Sequence, residues 1–347
     1  MSLQIDSAHS ALDYLIDSAI APDPGKNNPF LAGREAGTFT AYVVFGPKPP
    51  TPAPNTMYAG AQTDITLTYR VYHATDPNDP AAGAVNPPIP ELWMNGVYLP
   101  SCPVQPVITP EDSTVWGRLD NGNWIGTPPS PAQQLSALNP PQAYVVDPAS
   151  SSLDANADNY YYVAFLSRQF LKPNTSDEIF VARFKAPTFP ETRAGDLVYL
   201  PHQVRYWSIC TNDPYTTDAT RCLADDEFPL DAQGYATVVV SDPGSKPSDK
   251  ALTRFHARWL AWGALNLTSD VIYDASLRPW GTGTPAHYYN WLMYRQTHAD
   301  PAFTQSFAAV HELTPKQQRA AAGPYWPTGA YCTRANFETY GVRCLQY

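Results

Sequence analysis

The segment WSICT at residues 207–211 decides the fold, because MSLQI at residues 1–5 has the same pattern. The correspondence continues downstream, where LID at residues 15–17 matches LAD at residues 223–225. Identities are few, so the match rests on the pattern of residues and on their order. We interpret it as an internal repeat, which predicts a fold built from two related β modules.

The repeat also predicts that the first module begins inside a strand. Val204, Arg205 and Tyr206 lead into the second segment, whereas the first segment starts directly at Met1. We therefore expect Met1 to be an internal methionine, with a further strand and a signal peptide upstream of it. The alternative is a start that follows removal of a signal peptide.

Composition favours a β fold with long ordered loops. The chain of 347 residues has 37 prolines, 13% aromatic residues and only 16% charged residues. Proline costs about 3 kcal/mol in a helix interior, so this composition does not suit a helical bundle. The apolar and aromatic content is high enough to offset the ordering entropy, which argues against disorder.

The net charge of −10 argues against nucleic acid as a binding partner. A protein that binds nucleic acid without sequence preference needs a basic surface, and this chain has no run of Lys and Arg. No apolar stretch approaches the roughly 20 residues of a transmembrane helix, so we expect no membrane insertion.

Short alternating segments separated by Pro and Gly predict an all-β fold of two antiparallel β-sandwich or jelly-roll modules. We expect the strands to include residues 1–7, 64–72, 178–184, 203–211 and 235–241. Helical turns are predicted at residues 8–15, 131–137, 290–295 and 302–311. The predicted units are a first module (1–75), a proline-rich ordered insertion (76–158), a second module (159–285) and a partly helical, disulfide-tied tail (286–347).

Four of the five cysteines form two candidate disulfides. Cys210 and Cys222 have the same separation as Cys332 and Cys344, and no histidine lies at zinc-site spacing. A disulfide over a loop of this size contributes about 3 kcal/mol, and two of them predict an oxidising compartment. The alternative is buried free thiols. Cys102 is left over, and we expect it to be half-buried in a loop.

Several motifs form a recognisable set. They are RYWSIC at residues 205–210, the acidic turn at residues 225–227, YATVVVS at residues 235–241, WLAWG at residues 259–263, and APDPG with NPF at residues 21–30. The set resembles a family of uncharacterised bacterial secreted proteins whose jelly-roll modules belong to a domain of unknown function. The resemblance covers about half of the chain. It implies a jelly-roll fold and an extracytoplasmic setting, and it brings no established activity.

The resemblance also implies that strands precede Met1 in the first module. Without them, that module would have an unpaired edge, and an unpaired edge favours association with another chain. We therefore expect that the first module can form an oligomer contact.

Arginine and aromatic side chains on predicted strands are the candidate ligand-binding residues. Arg205 and Trp207 alternate along one strand, so they share a face. An arginine beside a tryptophan at the mouth of a sandwich can bind a carboxylate or stack on a ring. Arg70 and Tyr72 give the first module the same pattern. The alternative for both arginines is a structural role.

Tyr162 and Trp259 extend this hypothesis to an aromatic groove for a carbohydrate or another planar ligand. Aromatic residues also build the cores of β sandwiches, and core packing is the alternative for both side chains.

A calcium site is a further candidate. Asp154, Asn156 and Asp158 have the D-x-N-x-D spacing that opens a calcium loop. The loop departs from the full pattern because position six is Asn159 and position twelve is Phe165. The alternative is a solvated turn before the next strand. We expect no other cofactor.

The leading functional hypothesis is an extracytoplasmic protein that binds a small molecule or carbohydrate between its modules. The chain has no nucleophile elbow, phosphate loop or dinucleotide motif, so it predicts no particular reaction. The alternatives are a lyase, isomerase or hydrolase that acts on an apolar or sugar-like substrate, and a structural protein of envelope assembly.

Overall fold

The computed structural model describes residues 1–7, 10–28, 31, 37–72, 88–100, 143–146, 156–167, 178–196, 202–212, 219–262 and 289–346. Strands dominate these residues, and short helices are concentrated in the tail. The predicted all-β fold with a partly helical tail is confirmed.

The elements follow the chain in a simple order. The strands are β1 (Ser2–Ser7), β2 (Ser10–Ile16), β3 (Tyr42–Val44), β4 (Thr56–Tyr58), β5 (Thr66–Arg70), β6 (Leu92–Met94), β7 (Val97–Leu99), β8 (Ala143–Val146), β9 (Asn159–Ser167), β10 (Glu178–Lys185), β11 (Val204–Asn212), β12 (Ala219–Ala224), β13 (Tyr235–Ser241), β14 (Ala257–Ala261), β15 (Tyr289–Ala299) and β16 (Thr328–Thr333). The α-helices are α1 (Asp249–Arg254), α2 (Phe307–Val310), α3 (Pro315–Ala322) and α4 (Arg334–Tyr340).

Two sheets form the larger sandwich. One has the order β12-β11-β15-β9-β8 and the other has the order β14-β13-β10-β16. They share one core, in which Trp207 and Tyr294 of the first sheet join Phe184 and Val238 of the second. The opposite face of the four-stranded sheet packs against α1 and α4. The sandwich therefore buries both faces of β10 and β13.

The first module is a three-stranded sheet with the order β2-β1-β5. Leu3 and Ile5 of β1 point into a small core with Met57, whereas Ser2, Gln4 and Asp6 point to the other face. Residues 2–6 are all buried, so both faces of β1 are covered. Because β1 is the central strand, the edges of this sheet within the described residues are β2 and β5.

The strands of the two modules pair in the same register. In the first module Ser2 lies opposite Ile16 and Leu3 lies opposite Leu15. In the second module residues 208 and 209 of β11 lie opposite residues 224 and 223 of β12. A 3₁₀ turn follows each hairpin, at Asp17–Ala19 and at Asp225–Glu227. These are the positions that the sequence match aligned.

The first aspartate of each 3₁₀ turn makes the same contact. Asp17 Oδ2 accepts a hydrogen bond from the Met1 nitrogen at 2.9 Å. Asp225 Oδ2 accepts one from the Trp207 backbone nitrogen at 3.0 Å. Both carboxylates are buried, so each one fixes the start of a β hairpin from inside the protein.

The correspondence extends to the neighbouring strands. Antiparallel β5 places Arg70 opposite Ser2, and antiparallel β15 places Arg295 opposite Ser208. The parallel pairs β3–β4 and β13–β14 also correspond. A non-glycine residue with positive φ precedes each second strand of these pairs: Asn55 (52°) before β4 and His256 (49°) before β14.

Two helix predictions are wrong. Residues 10–16 form β2, because they pair with β1 along its length. Residues 290–295 lie within β15, which is held between β11 and β9. Burial alternates along β15, with Leu292 and Tyr294 buried and Trp291 and Met293 half-buried, but all four residues are apolar or aromatic, so the sequence does not show the alternation. Of residues 302–311, only α2 is helical. The helix predicted at residues 131–137 and most of the predicted insertion lie outside the described residues.

The two predicted cysteine pairs lie at disulfide distance. Cys210 and Cys222 face each other across β11 and β12. Cys332 of β16 pairs with Cys344, which follows α4. Cys102 lies outside the described residues. Among the helices that are described, none has the length and apolar character needed to cross a bilayer.

Candidate functional site: a polar junction between the modules

A buried polar cluster lies where the first module meets the turn before β9. We call it the polar junction, and it comprises Ser2, Gln4, Asp6, Thr68, Arg70, Tyr72, Asn156 and Asp158. Alternate residues of β1 and β5 supply one side, because cross-strand partners share a face. The turn at residues 156–158 supplies the other side, where the Ala157 nitrogen donates to Gln4 Oε1 at 2.8 Å. The junction therefore joins the two modules through polar groups.

Tyr72 and Asp158 form the centre of the polar junction. The Tyr72 hydroxyl lies 2.8 Å from each carboxylate oxygen of Asp158. Ser2 Oγ lies 3.1 Å from the same hydroxyl, and the Asn156 side-chain amide donates to it. With one proton, Tyr72 donates to the carboxylate and accepts from its other neighbours.

Burial shifts the pKa values of both Tyr72 and Asp158. Burial raises the pKa of the Asp158 carboxyl, and the hydrogen bond from Tyr72 offsets only part of the effect. Burial and the charge of Asp158 raise the pKa of the Tyr72 hydroxyl well above its usual value. The two groups therefore hold their protons more tightly than they would in water.

Arg70 brings an unsatisfied donor to the same place. Its Nη1 atom is buried and has no hydrogen-bond partner among the described residues. The side chain as a whole is half-buried, so part of it reaches the surface. A buried polar group without a partner costs about 1–3 kcal/mol, and more when it is charged. The Nη1 atom of Arg70 therefore has hydrogen-bonding capacity that no described residue uses.

Arg205 has a different environment. Its Nη2 lies 2.9 Å from Asp17 Oδ2, and the exposed fractions of the two side chains are 15% and 3%. Burial alone would raise the pKa of Asp17, but the Met1 nitrogen and Arg205 outweigh it and lower that pKa. Arg205 thus links the second module to the first. This is a structural role, which was the alternative to ligand binding for this residue.

Trp207 and Tyr162 are in the main core. Trp207 is fully buried, and its ring packs against those of Phe184, Phe228 and Tyr294. Tyr162 is also buried, and its hydroxyl donates to the Pro327 carbonyl. The structure places both rings in the core of the sandwich, because strands on both sides cover them.

Trp259 is half-buried and lies apart from these residues. It packs with the second cluster, on the face of the four-stranded sheet that α1 and α4 cover. Its indole nitrogen donates to Ser241 Oγ at 2.9 Å. The structure therefore does not bring Trp259 together with Arg70 and Tyr72.

The predicted calcium loop is only partly described. Asn156 and Asp158 lie in the polar junction, where both contact Tyr72. Asp154 lies outside the described residues, so the loop stays a prediction. In the part of the chain that the structure describes, no three His, Cys, Asp or Glu side chains are grouped to hold a metal.

Sequence reasoning missed Ser2, Gln4, Asp6 and Thr68. The signal was present in SLQIDS at residues 2–7, where polar and apolar residues alternate. Alternation normally indicates one buried and one solvated face. Here the polar face is buried as well. Its burial could be predicted only by knowing which turn covers it.

Asp158 leads to a prediction about pH. The pKa of this carboxyl is higher in the folded state than in the unfolded chain, so the folded state binds the proton more tightly. Its contribution is therefore full below the unfolded pKa of 3.8 and is lost as pH rises through the folded pKa. We expect Asp158→Asn to remove this loss, because the amide oxygen still accepts from Tyr72. The measurement is the urea midpoint of both proteins between about pH 3 and pH 7.

The control for this prediction is Asp249→Asn, because the Asp249 side chain is 84% exposed. We expect that variant to follow the wild-type pH profile. A constant difference between Asp158→Asn and the wild type across the whole range would contradict the prediction.

No family model and no curated protein matches the chain. Among solved structures, the chain is similar to an uncharacterised protein from Burkholderia cenocepacia, with a TM-score of 0.40 and 12% identity over 96% of this chain and 70% of that one. It is also similar to a protein from Vibrio parahaemolyticus, with a TM-score of 0.36 and 12% identity over 96% of this chain and 82% of that one.

Proposed function

We propose that this protein is an extracytoplasmic binding protein whose polar junction takes a small carbohydrate or a related acidic molecule. The observation that carries the proposal is the buried Nη1 of Arg70, which has no acceptor among the described residues. A hydroxyl or carboxylate of a ligand would supply that acceptor.

The surroundings of Arg70 suit such a ligand. Asp158 offers carboxylate oxygens, and Asn156 adds an amide. The rings of Tyr72 and Tyr206 lie 5.4 Å apart and are both half-buried, so they form an aromatic wall at the edge of the junction. A few convergent polar groups beside an aromatic surface are typical of small-molecule sites.

Two observations support the extracytoplasmic setting and the internal repeat. The cysteine pairs at disulfide distance are typical of proteins from oxidising compartments. The shared register of β1–β2 and β11–β12, with an aspartate at the start of each following turn, supports descent of the two modules from one repeated unit. The jelly-roll family resemblance is in line with both.

An enzyme is the second candidate, and Asp158 is the reason. A buried carboxyl with a raised pKa beside a tyrosine hydroxyl is suited to proton transfer. A lyase, isomerase or hydrolase that acts on a sugar-like substrate would use this pair. Turnover that is lost in Asp158→Asn, with binding retained, would favour the enzyme.

The experiment is binding of the protein to an array of neutral and acidic sugars, followed by calorimetry with the sugar retained. We expect Arg70→Ala to weaken binding about tenfold or more, because a hydrogen bond to a charged group contributes about 1.5–3 kcal/mol. The matched control is Arg221→Ala, since Arg221 is exposed on β12 and should leave affinity unchanged. Equal affinity of Arg70→Ala and the wild type, or no sugar retained at all, would contradict the proposal.

A further inference from the structure

The outer edge of β5 has no neighbour among the described strands. β5 pairs with β1 on one side, and the three-stranded sheet ends there. Its counterpart β15 is paired on both sides, with β11 and with β9. The two strands occupy equivalent positions in their modules, and the contact that β15 makes with β9 has no equivalent among the described residues of the first module.

The exposed fractions of equivalent side chains also differ between β5 and β15. Leu67 of β5 lies opposite Ile5, and its counterpart Leu292 of β15 lies opposite Thr211. Leu67 is 42% exposed, whereas Leu292 is 1% exposed and lies opposite Ala164 of β9. Leu292 belongs to the core between the two sheets of the larger sandwich, whereas the face of β5 that carries Leu67 is open to solvent at this position. The sequence of β5, TLTYR, also has no proline, lysine or acidic residue of the kind that protects edge strands.

A second feature is a β hairpin that pairs with no other described strand. β6 and β7 form a separate two-stranded sheet around Asn95 and Gly96, which both have positive φ as a tight hairpin turn requires. Trp93 lies opposite Tyr98, with the two rings 5.5 Å apart. An isolated hairpin of this kind is only marginally stable in water.

The hairpin is strongly apolar on both faces. Its exposed side chains, with their exposed fractions, are Leu92 (55%), Trp93 (58%), Met94 (58%), Val97 (62%) and Tyr98 (48%). Residues 92–99 carry no charge, and β5 carries only Arg70, so the two elements add no like-charge pair to a contact between them. A contiguous apolar surface of this kind indicates an interaction site.

We propose that the β6–β7 hairpin of one copy of this chain adds to the outer edge of β5 in a second copy, and that the exchange is reciprocal. The resulting sheet has five strands, β2-β1-β5 followed by an antiparallel pair. This is the order of the sheet β12-β11-β15-β9-β8, whose last two strands are also an antiparallel pair. Each copy has one β5 edge and one β6–β7 hairpin, so a two-fold dimer uses both elements of both copies.

The test is the molar mass of the full chain in solution, by light scattering on a size-exclusion column over a range of concentrations. We expect twice the chain mass for the wild type and the single mass for Leu67→Lys and Val97→Lys. Lysine on an edge strand or on the hairpin face opposes strand addition. The matched control is Leu230→Lys, because Leu230 is 37% exposed and lies on neither element. It should remain a dimer.

A mixture of the two variants gives the sharper result. Leu67→Lys still has an intact hairpin and Val97→Lys still has an intact edge, so together they can rebuild one of the two contacts. We expect the mixture to form heterodimers, with affinity at least tenfold weaker than that of the wild type. Circular dichroism of each variant establishes that both are folded.

Three results would overturn the proposal. One is a wild-type protein that is monomeric at all concentrations, including the case in which hydrogen exchange shows β5 and the hairpin protected within a single copy. Another is a dimer that both lysine variants leave intact. The third is a mixture that stays monomeric although the wild type dimerises.

Discussion

Replacing Trp207 with alanine is expected to lower the free energy of unfolding by about 3–5 kcal/mol. The indole is fully buried between the two sheets of the larger sandwich. Its ring centroid lies 5.5 Å from that of Phe184, 5.0 Å from that of Phe228 and 5.7 Å from that of Tyr294. Phe184 and Tyr294 lie on paired strands and Phe228 directly follows a 3₁₀ turn, so the three rings cannot move together to fill the space and a cavity remains.

Urea denaturation measures this effect as a shift of the midpoint at constant slope. The matched control is Tyr42→Ala, because Tyr42 is an aromatic residue with 57% of its side chain exposed. We expect that control to change the free energy of unfolding by less than about 0.5 kcal/mol. A Trp207→Ala variant that keeps its stability and loses sugar binding would return Trp207 to the ligand site.

Replacing Asp17 with alanine is expected to lower the free energy of unfolding by about 3–5 kcal/mol, because it removes the buried carboxylate that pairs with the largely buried Arg205. The Asp17 carboxylate accepts from the Met1 nitrogen and from Arg205, each at 2.9 Å. Its loss therefore weakens both the start of β1 and the attachment of the second module to the first.

A double-mutant cycle with Arg205→Ala isolates the Asp17–Arg205 interaction, and we expect a coupling energy of about 1–3 kcal/mol. The pKa of Asp17 is lowered in the folded state, so its contribution is full above the unfolded value of 3.8 and is lost as pH falls through the folded pKa. The difference between the wild type and Asp17→Ala should shrink accordingly in acid.

The control pair is Arg193 and Asp226, whose side chains are 46% and 19% exposed. Because solvent screens this pair, we expect Asp226→Ala to cost less than about 1 kcal/mol. A coupling energy near zero for Asp17 and Arg205 would contradict the role of this pair in joining the modules.

The sequence predicted those parts of the fold that depend on local pattern. YATVVVS at residues 235–241 has the β-branched residues of a strand, and it forms β13 at those positions. Equal cysteine spacing predicted both pairs. Cys210 and Cys222 lie opposite each other in the β11–β12 hairpin. The match between residues 1–5 and 207–211 aligned positions that share one register.

The candidate site was less predictable because it depends on contacts distant in sequence. Asp158 meets Tyr72 across 86 positions of the chain. Alternation in β1 shows which residues share a face, and it does not show what covers that face. For the same reason Arg205 and Trp207, which the sequence grouped together, differ in role: one forms an ion pair between the modules and the other fills the core.

The position of β16 has a consequence for synthesis of the protein. β16 pairs with β10, although β10 ends at Lys185 and β16 begins at Thr328. A nascent chain therefore carries β10 without this neighbour until the whole second module and most of the tail have left the ribosome. Pairing across such a separation is slow, and the incomplete sheet is open to wrong partners meanwhile. We therefore expect that a good yield of folded protein requires a chaperone that binds the unfinished chain.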